Sequence, residues 1–200
     1  VEESDSGALF DICITLSGQG HRAVCRIAED HTNIVRIERD GEMVYSRCLE
    51  NAAPETAGDK ALLTVERIVE FADTLDVADV KEAFDRQIAC NMAIAGRGMQ
   101  GDYGIGIGKA LLDTFPHSVY TKVRAYAAAA SEARMDGCDM PVIITSGSGN
   151  QGITSTVPVI VYAREKQIPE DKMMRALVFS SLLTVYQKEY IGKLSAFCGA

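Results

Sequence analysis

Two hundred residues, 47% of them hydrophobic, supply enough apolar side chain for a sizeable core and exclude a disordered chain. Twenty Lys and Arg against 28 Asp and Glu give a formal charge of −8 without any basic run, which argues against a nucleic-acid or membrane-surface binder while leaving room for a small anion held locally. The apolar stretches break well before the roughly 20 residues of a membrane span. The six cysteines at 13, 25, 48, 90, 138 and 198 form no Cys-x-x-Cys, so neither a zinc ribbon nor a disulfide framework fits, and reduced thiols in a cytoplasmic setting are expected.

Along the chain, "FDICITL", "RAVCRIA", "NIVRIER" and "EMVYSR" alternate as half-buried strands do, separated by "SGQGH", "EDHT" and "DG". Residues 1–50 therefore read as a small antiparallel meander, with Asp40-Gly41 supplying the positive φ angles of a two-residue hairpin loop. The stretch 51–60, broken by Pro54 and Gly58, reads as a linker. From 61 to 200 the period turns helical. Leu62, Val65, Ile68, Val69, Ala72 and Leu75 share one face, Asp76 offers a cap, and Val80, Phe84, Ile88 and Met92 form the face of the next helix. Further helices are expected over about 106–114, over Val119 to Met135 through its alanine run, and over 170–191 with a broad apolar surface of Met173, Met174, Leu177, Val178, Leu182, Val185 and Tyr186. The expected fold class is α+β, a small sheet followed by a helical body expected to continue beyond residue 200. The apolar breadth of 173–186 would suit either further chain or a second copy in a homo-oligomer.

Three glycines, two serines, an asparagine and a glutamine fill positions 146–152, directly after the apolar run Val142-Ile143-Ile144. Such a cluster marks a sharp turn or a close approach to the backbone. Gly147, Gly149 and Gly152 match Gly-x-Gly-x-x-Gly, the dinucleotide fingerprint, yet Pro158 follows six residues later and no second strand succeeds it, so the Rossmann context is missing. Two readings stay open: a turn whose polar groups cap the next helix, or an anion site in which backbone amides and the side chains of Ser146, Ser148, Asn150 and Gln151 receive a carboxylate. In "GRGMQGDYGIGIGKALL", 96–112, the spacing to Lys109 and the Ala at 110 exclude a phosphate loop, which leaves close helix packing or a cavity-lining role. His21, His31 and His117 have no partner at metal-ligand spacing, and no Ser-His-Asp order is present. Cys198, in a Gly- and Ala-rich end, is open to being either a core thiol or a ligand.

Through "MDGCDMPVIITSGSGNQGITSTVPVIVYA" and "YIGKLSAFCGA" the chain resembles the L-cysteine desulfidase family, itself related to the α-chain domain of iron-sulfur L-serine dehydratases. The likeness runs over essentially the whole chain as the middle of a longer protein. It implies a lyase that uses a four-iron, four-sulfur cluster to release hydrogen sulfide from L-cysteine, leaving pyruvate and ammonia, with L-serine dehydration as the alternative. It further implies substrate binding by Ser146, Ser148, Gly149, Asn150 and Gln151, and cluster ligation by Cys198 together with two cysteines beyond Ala200. A catalytic cysteine in Gly-Cys-Thr-Glu-Pro would precede Val1, so this stretch alone is expected to be inactive and to carry no cluster. The rivals are a non-catalytic scaffold domain and a nucleotide-binding oxidoreductase.

Overall fold

The computed structural model describes residues 10–29, 32–48 and 62–191. The chain divides into two compact units, residues 1–60 and 61–200. The first is a four-stranded antiparallel sheet in sequential order: β1 (Asp11–Gly18), β2 (His21–Ala28), β3 (Ile34–Arg39) and β4 (Glu42–Ser46). Two tight loops set its register. Gly18 pairs with His21 and Arg39 with Glu42, and both loops place their two residues at positive φ, Gln19-Gly20 and Asp40-Gly41. That backbone twist matches the twist of the flanking strands. The second loop is also tied across the sheet, because the Asp40 carboxylate accepts from the Arg22 amide at 2.7 Å and bonds His21 Nδ1 at 2.9 Å. These bonds, the amide first, hold the Asp40 carboxyl below the usual carboxylate range. Val24, Ala28 and Val35 are buried, while Ile12, Ile14 and Leu16 on β1 stay exposed.

The second unit has six helices among the described residues: α1 (Val65–Thr74), α2 (Val77–Gln100), α3 (Ile107–Thr114), α4 (Val119–Met135), α5 (Gly149–Glu165) and α6 (Glu170–Ile191). With the sheet ahead of them the arrangement is α+β, as the periodicities indicate. Asp76 caps α2 as expected, and Thr64 and Ser118, which the sequence reading did not single out, likewise accept from backbone amides in the first turns of α1 and α4. Segment 51–60 and Cys198 lie outside the described residues, as does His31.

Helix α5 is the centre of this unit. Ile153, Val157 and Val161 pack with Ile94 and Ala95 of α2 and with Ala130 and Ala133 of α4, while Ile160 packs with Met174 and Leu177 of α6. Pro158 sits inside α5 without ending it. The alanine run of α4 acts as the sequence implies, letting neighbours come close. A methyl at Gly98 would lie 2.2 Å from the Ala129 carbonyl oxygen, and one at Gly108 would lie 2.6 Å from that of Ala125. On α6 the buried stripe departs from expectation. Met174, Leu177 and Val178 are buried, but further along the enclosed positions are Thr184 and Lys188, and Leu182, Val185 and Tyr186 are only half-buried. No helix among the described residues is long and apolar enough to cross a membrane.

Candidate functional site

Among the described residues, no strand pairs with the apolar run Val142–Ile144. Its backbone is held by a side chain, since the Asn91 amide donates to the Ile143 carbonyl at 3.2 Å and accepts from the Ile143 amide at 2.8 Å. Asn91, fully buried on α2, also lies 3.2 Å from the Gly152 carbonyl and 3.0 Å from the Thr156 hydroxyl of α5. One side chain therefore joins α2, the extended segment and α5.

The chain then reverses within two residues. Thr145 and Ser148 exchange backbone hydrogen bonds at 3.1 and 3.2 Å, and the two residues between them have positive φ, 49° at Ser146 and 83° at Gly147. A left-handed backbone is ordinary for glycine and uncommon for serine, so Ser146 holds a conformation that the surrounding structure imposes. Ser148 ends the turn and caps α5, its buried hydroxyl accepting from the Gln151 amide at 3.3 Å. Gly152 lets the first turn press against the extended segment, since a methyl there would stand 2.1 Å from the Ile143 carbonyl oxygen.

The result is a helix start set into the body of the unit. Gly149 and Asn150 belong to the first turn, whose amides have no carbonyl to bond within the helix. Arg134, from the last turn of α4, lies across this start. A methyl at Gly149 would be 2.4 Å from its Nε, and its Nη1 donates to Asn150 Oδ1 at 3.2 Å. Helix dipole and guanidinium thus place positive potential at one spot. Gln151 is buried, and its Oε1 has no hydrogen-bond partner. Beneath the turn, the Thr145 hydroxyl receives bonds from Gln87 at 3.3 Å and Ser155 at 3.4 Å, and Ser180 of α6 donates to the Ser155 carbonyl at 2.7 Å.

The structure thus brings Ser146, Ser148, Gly149, Asn150 and Gln151 together on one bend, with Ser148 committed to capping and Ser146 and Asn150 only partly covered. Arg134 and Asn91 are neighbours that the reading of the sequence did not single out. Arg134 resembled an ordinary basic residue of a helix C-terminus. Asn91 could have been noticed, because Gln87 and Asn91 stand one turn apart beside the apolar face of α2.

The second glycine-rich stretch has a different use. The Glu132 carboxylate accepts from the amides of Ile105, Gly106 and Ile107 at 2.7, 3.0 and 2.8 Å, so the start of α3 is closed by an internal anion. Lys109 turns back onto the Gly101 carbonyl at 2.5 Å and Asp102 at 3.1 Å. Among the described residues no three of His, Cys, Asp and Glu are grouped to hold a metal, and Cys13, Cys25, Cys48, Cys90 and Cys138 are all free thiols. None of these described thiols has two further ligands beside it, and Cys198 lies outside the described residues.

A family model described as "Serine dehydratase alpha chain" matches residues 25–200. The chain belongs to the serine dehydratase alpha chain family. Within it, the chain is 49% identical over 199 residues to a UPF0597 protein of Desulfitobacterium hafniense, covering 100% of this chain and 46% of that protein. A UPF0597 protein of Treponema denticola is 42% identical over 205 residues (98% and 47%), and one of Lachnoclostridium phytofermentans is 39% identical over 189 (94% and 45%). The serine dehydratase alpha chain stretch seen here therefore spans about half the length of these curated relatives. No solved structure matches it.

Proposed function

We propose that the bend at 145–151 is the carboxylate-binding element of a cytoplasmic lyase that eliminates the β-substituent of a small amino acid, L-cysteine or L-serine. Membership in the serine dehydratase alpha chain family supports this reaction class. The observation that carries the site is the start of α5: a left-handed turn, two first-turn amides, and the Arg134 guanidinium over Gly149. One carboxylate oxygen would accept from the amides of Gly149 and Asn150, with Ser146 at the rim. Gln151 Oε1 is an acceptor, so it suits the α-ammonium group of the substrate rather than its carboxylate.

In the reaction a base removes the Cα proton, the Cα–H electron pair becomes the Cα=Cβ bond, and the Cβ–S bond of cysteine (Cβ–O of serine) breaks with its pair going to the leaving group. Hydrogen sulfide or water departs. The aminoacrylate tautomerises to an imine, and water converts that to pyruvate and ammonia. The contribution of the described residues is to hold the carboxylate and ammonium so that the Cα–H bond is fixed in direction. The resemblance assigns a four-iron, four-sulfur cluster to the complete protein; Cys198 would be one of its thiolate ligands, and the cluster would supply an open iron acting as a Lewis acid.

The test uses the full-length protein purified without oxygen. Pyruvate should form from L-cysteine or L-serine, and Arg134→Ala and Gln151→Ala, which remove the guanidinium over Gly149 and the ammonium acceptor, should raise KM about tenfold or more. Unchanged KM and kcat in both variants would refute the assignment of the bend, and absence of pyruvate from either amino acid would refute the reaction.

A further inference from the structure

Lys188 is the largest fully buried side chain of the described residues, 1% exposed, and its Nζ has no hydrogen-bond partner. A lysine head group donates three hydrogen bonds and carries a charge whose burial without a counter-charge is costly. Lysine normally escapes by running its stem along the surface and leaving the head in water. Here the head is enclosed and close carboxylates are absent from its hydrogen-bonding partners.

Its place in the fold can be counted. Helices α5 and α6 are joined by a short turn over 166–169 and run antiparallel, with Ile160 against Met174 and Leu177 and with Ser180 Oγ on the Ser155 carbonyl. One turn from Ser155 toward the start of α5 is Gln151, and one turn from Ser180 toward the end of α6 is Thr184. One turn further brings Gly147 level with Lys188. Side chains on a helix lean toward its N-terminus, so the long arm of Lys188 reaches back toward the level of Gln151, while Gln151 leans toward the bend. Ser181, Thr184 and Lys188 follow the three- and four-residue spacing of one face, and Ser181 Oγ is also buried without a partner. By this count the acceptor Gln151 Oε1 and the donor Lys188 Nζ fall at the same level of the two helices, and each is buried without a hydrogen-bond partner.

We infer that Lys188 is the buried counter-charge of the substrate site: its Nζ binds the second carboxylate oxygen of a small α-amino acid whose ammonium group is taken by Gln151 Oε1. This rests on the proposed reading of the bend and deepens it. A zwitterion supplies one acceptor and one donor to two groups that each lack the other, which an uncharged ligand or a simple amine would not do. A carboxylate from elsewhere in the protein is the competing counter-charge, and the test separates the two.

The full-length protein is titrated with L-alanine, which has no leaving group, and with ethylamine and L-alaninamide, which lack the carboxylate, following thermal unfolding and calorimetry. L-Alanine alone should stabilise the wild type. Lys188→Met should abolish that response, with at least a tenfold weaker affinity, while unfolding without ligand occurs at the same or a higher temperature. Lys188→Arg, which keeps the charge, should retain part of the response; Lys188→Gln gives the neutral comparison if the methionine variant does not fold. An unaltered L-alanine response in the neutral variants would overturn the inference even if pyruvate is still produced. Equal responses to L-alanine and ethylamine would overturn it as well. So would neutral variants that lose stability but keep affinity, because Lys188 would then pair within the protein. A Lys188-dependent response without pyruvate formation would uphold the inference and defeat the proposed reaction. A wild type indifferent to L-alanine would defeat both the inference and the carboxylate reading of the bend.

Discussion

Gly152→Ala places a methyl 2.1 Å from the Ile143 carbonyl oxygen and 3.0 Å from the carbonyl carbons of Ile143 and Ile144, whereas ordinary contact begins near 3.4 Å. The backbone of α5 or of the extended segment must yield by about 1.3 Å at the oxygen, far up the repulsive wall. Asn91 ties both to α2, so neither moves freely. Overpacking of this kind costs ~1–3 kcal/mol, and the upper end applies because the obstacle is backbone. Alanine returns about 1 kcal/mol over glycine within a helix, which leaves a net loss of about 2 kcal/mol. Gly96 on α2 is the internal control: a methyl there meets nothing within 4 Å, so Gly96→Ala should stabilise by ~0.5–1 kcal/mol. Guanidinium unfolding of the full-length protein and of both variants, at equal m-values, gives the comparison. If Gly152→Ala were as stable as Gly96→Ala, the close seating of α5 on residues 143–144 would be wrong, and the geometry of the bend with it.

Asn91→Leu should cost about 3 kcal/mol in the same assay, since it strands the amide and carbonyl of Ile143, and orphaned buried groups cost ~1–3 kcal/mol each; a loss below about 0.5 kcal/mol, the range of surface substitutions, would show that water replaces the side chain. Asp40 offers a pH signature. Its carboxyl is held below the ordinary value by the Arg22 amide and His21, so its contribution is complete above the ordinary aspartate range and fades as pH falls through the lower folded value. The Arg22 amide resonance should shift across that acidic window, and Asp40→Asn should remove the shift; a wild-type shift unaltered by the substitution would refute the tie. Ser148→Ala should lower stability by about 1 kcal/mol through loss of the α5 cap, read from the same unfolding curves; an unchanged midpoint would refute the cap.

The sheet and most helices were legible because each is written locally: the two-residue loop Asp40-Gly41, period-two strands, helical periodicity and the cap at Asp76. The 146–152 bend was legible as unusual for the same reason, since its glycines are consecutive enough to demand a backbone explanation. What completes the site is not local. Arg134 and Asn91 reach the bend and the segment before it from α4 and α2, Lys188 is buried on α6, and nothing in the sequence beside them names those destinations. Lys188 was hidden further by its surroundings. Leu182, Val185 and Tyr186 make α6 look like an apolar helix with a solvated lysine, whereas the enclosed face is the one bearing Thr184 and Lys188. The start of α3 teaches the converse. Its glycines resemble a binding loop in sequence, but Glu132 already occupies the amides.

The most direct measurement is an experimental structure of the full-length protein with L-alanine bound. Its carboxylate is expected within hydrogen-bonding distance of the Gly149 and Asn150 amides and of Lys188 Nζ, with its ammonium on Gln151 Oε1. A carboxylate bound elsewhere, with the start of α5 closed by a side chain as α3 is by Glu132, would contradict it.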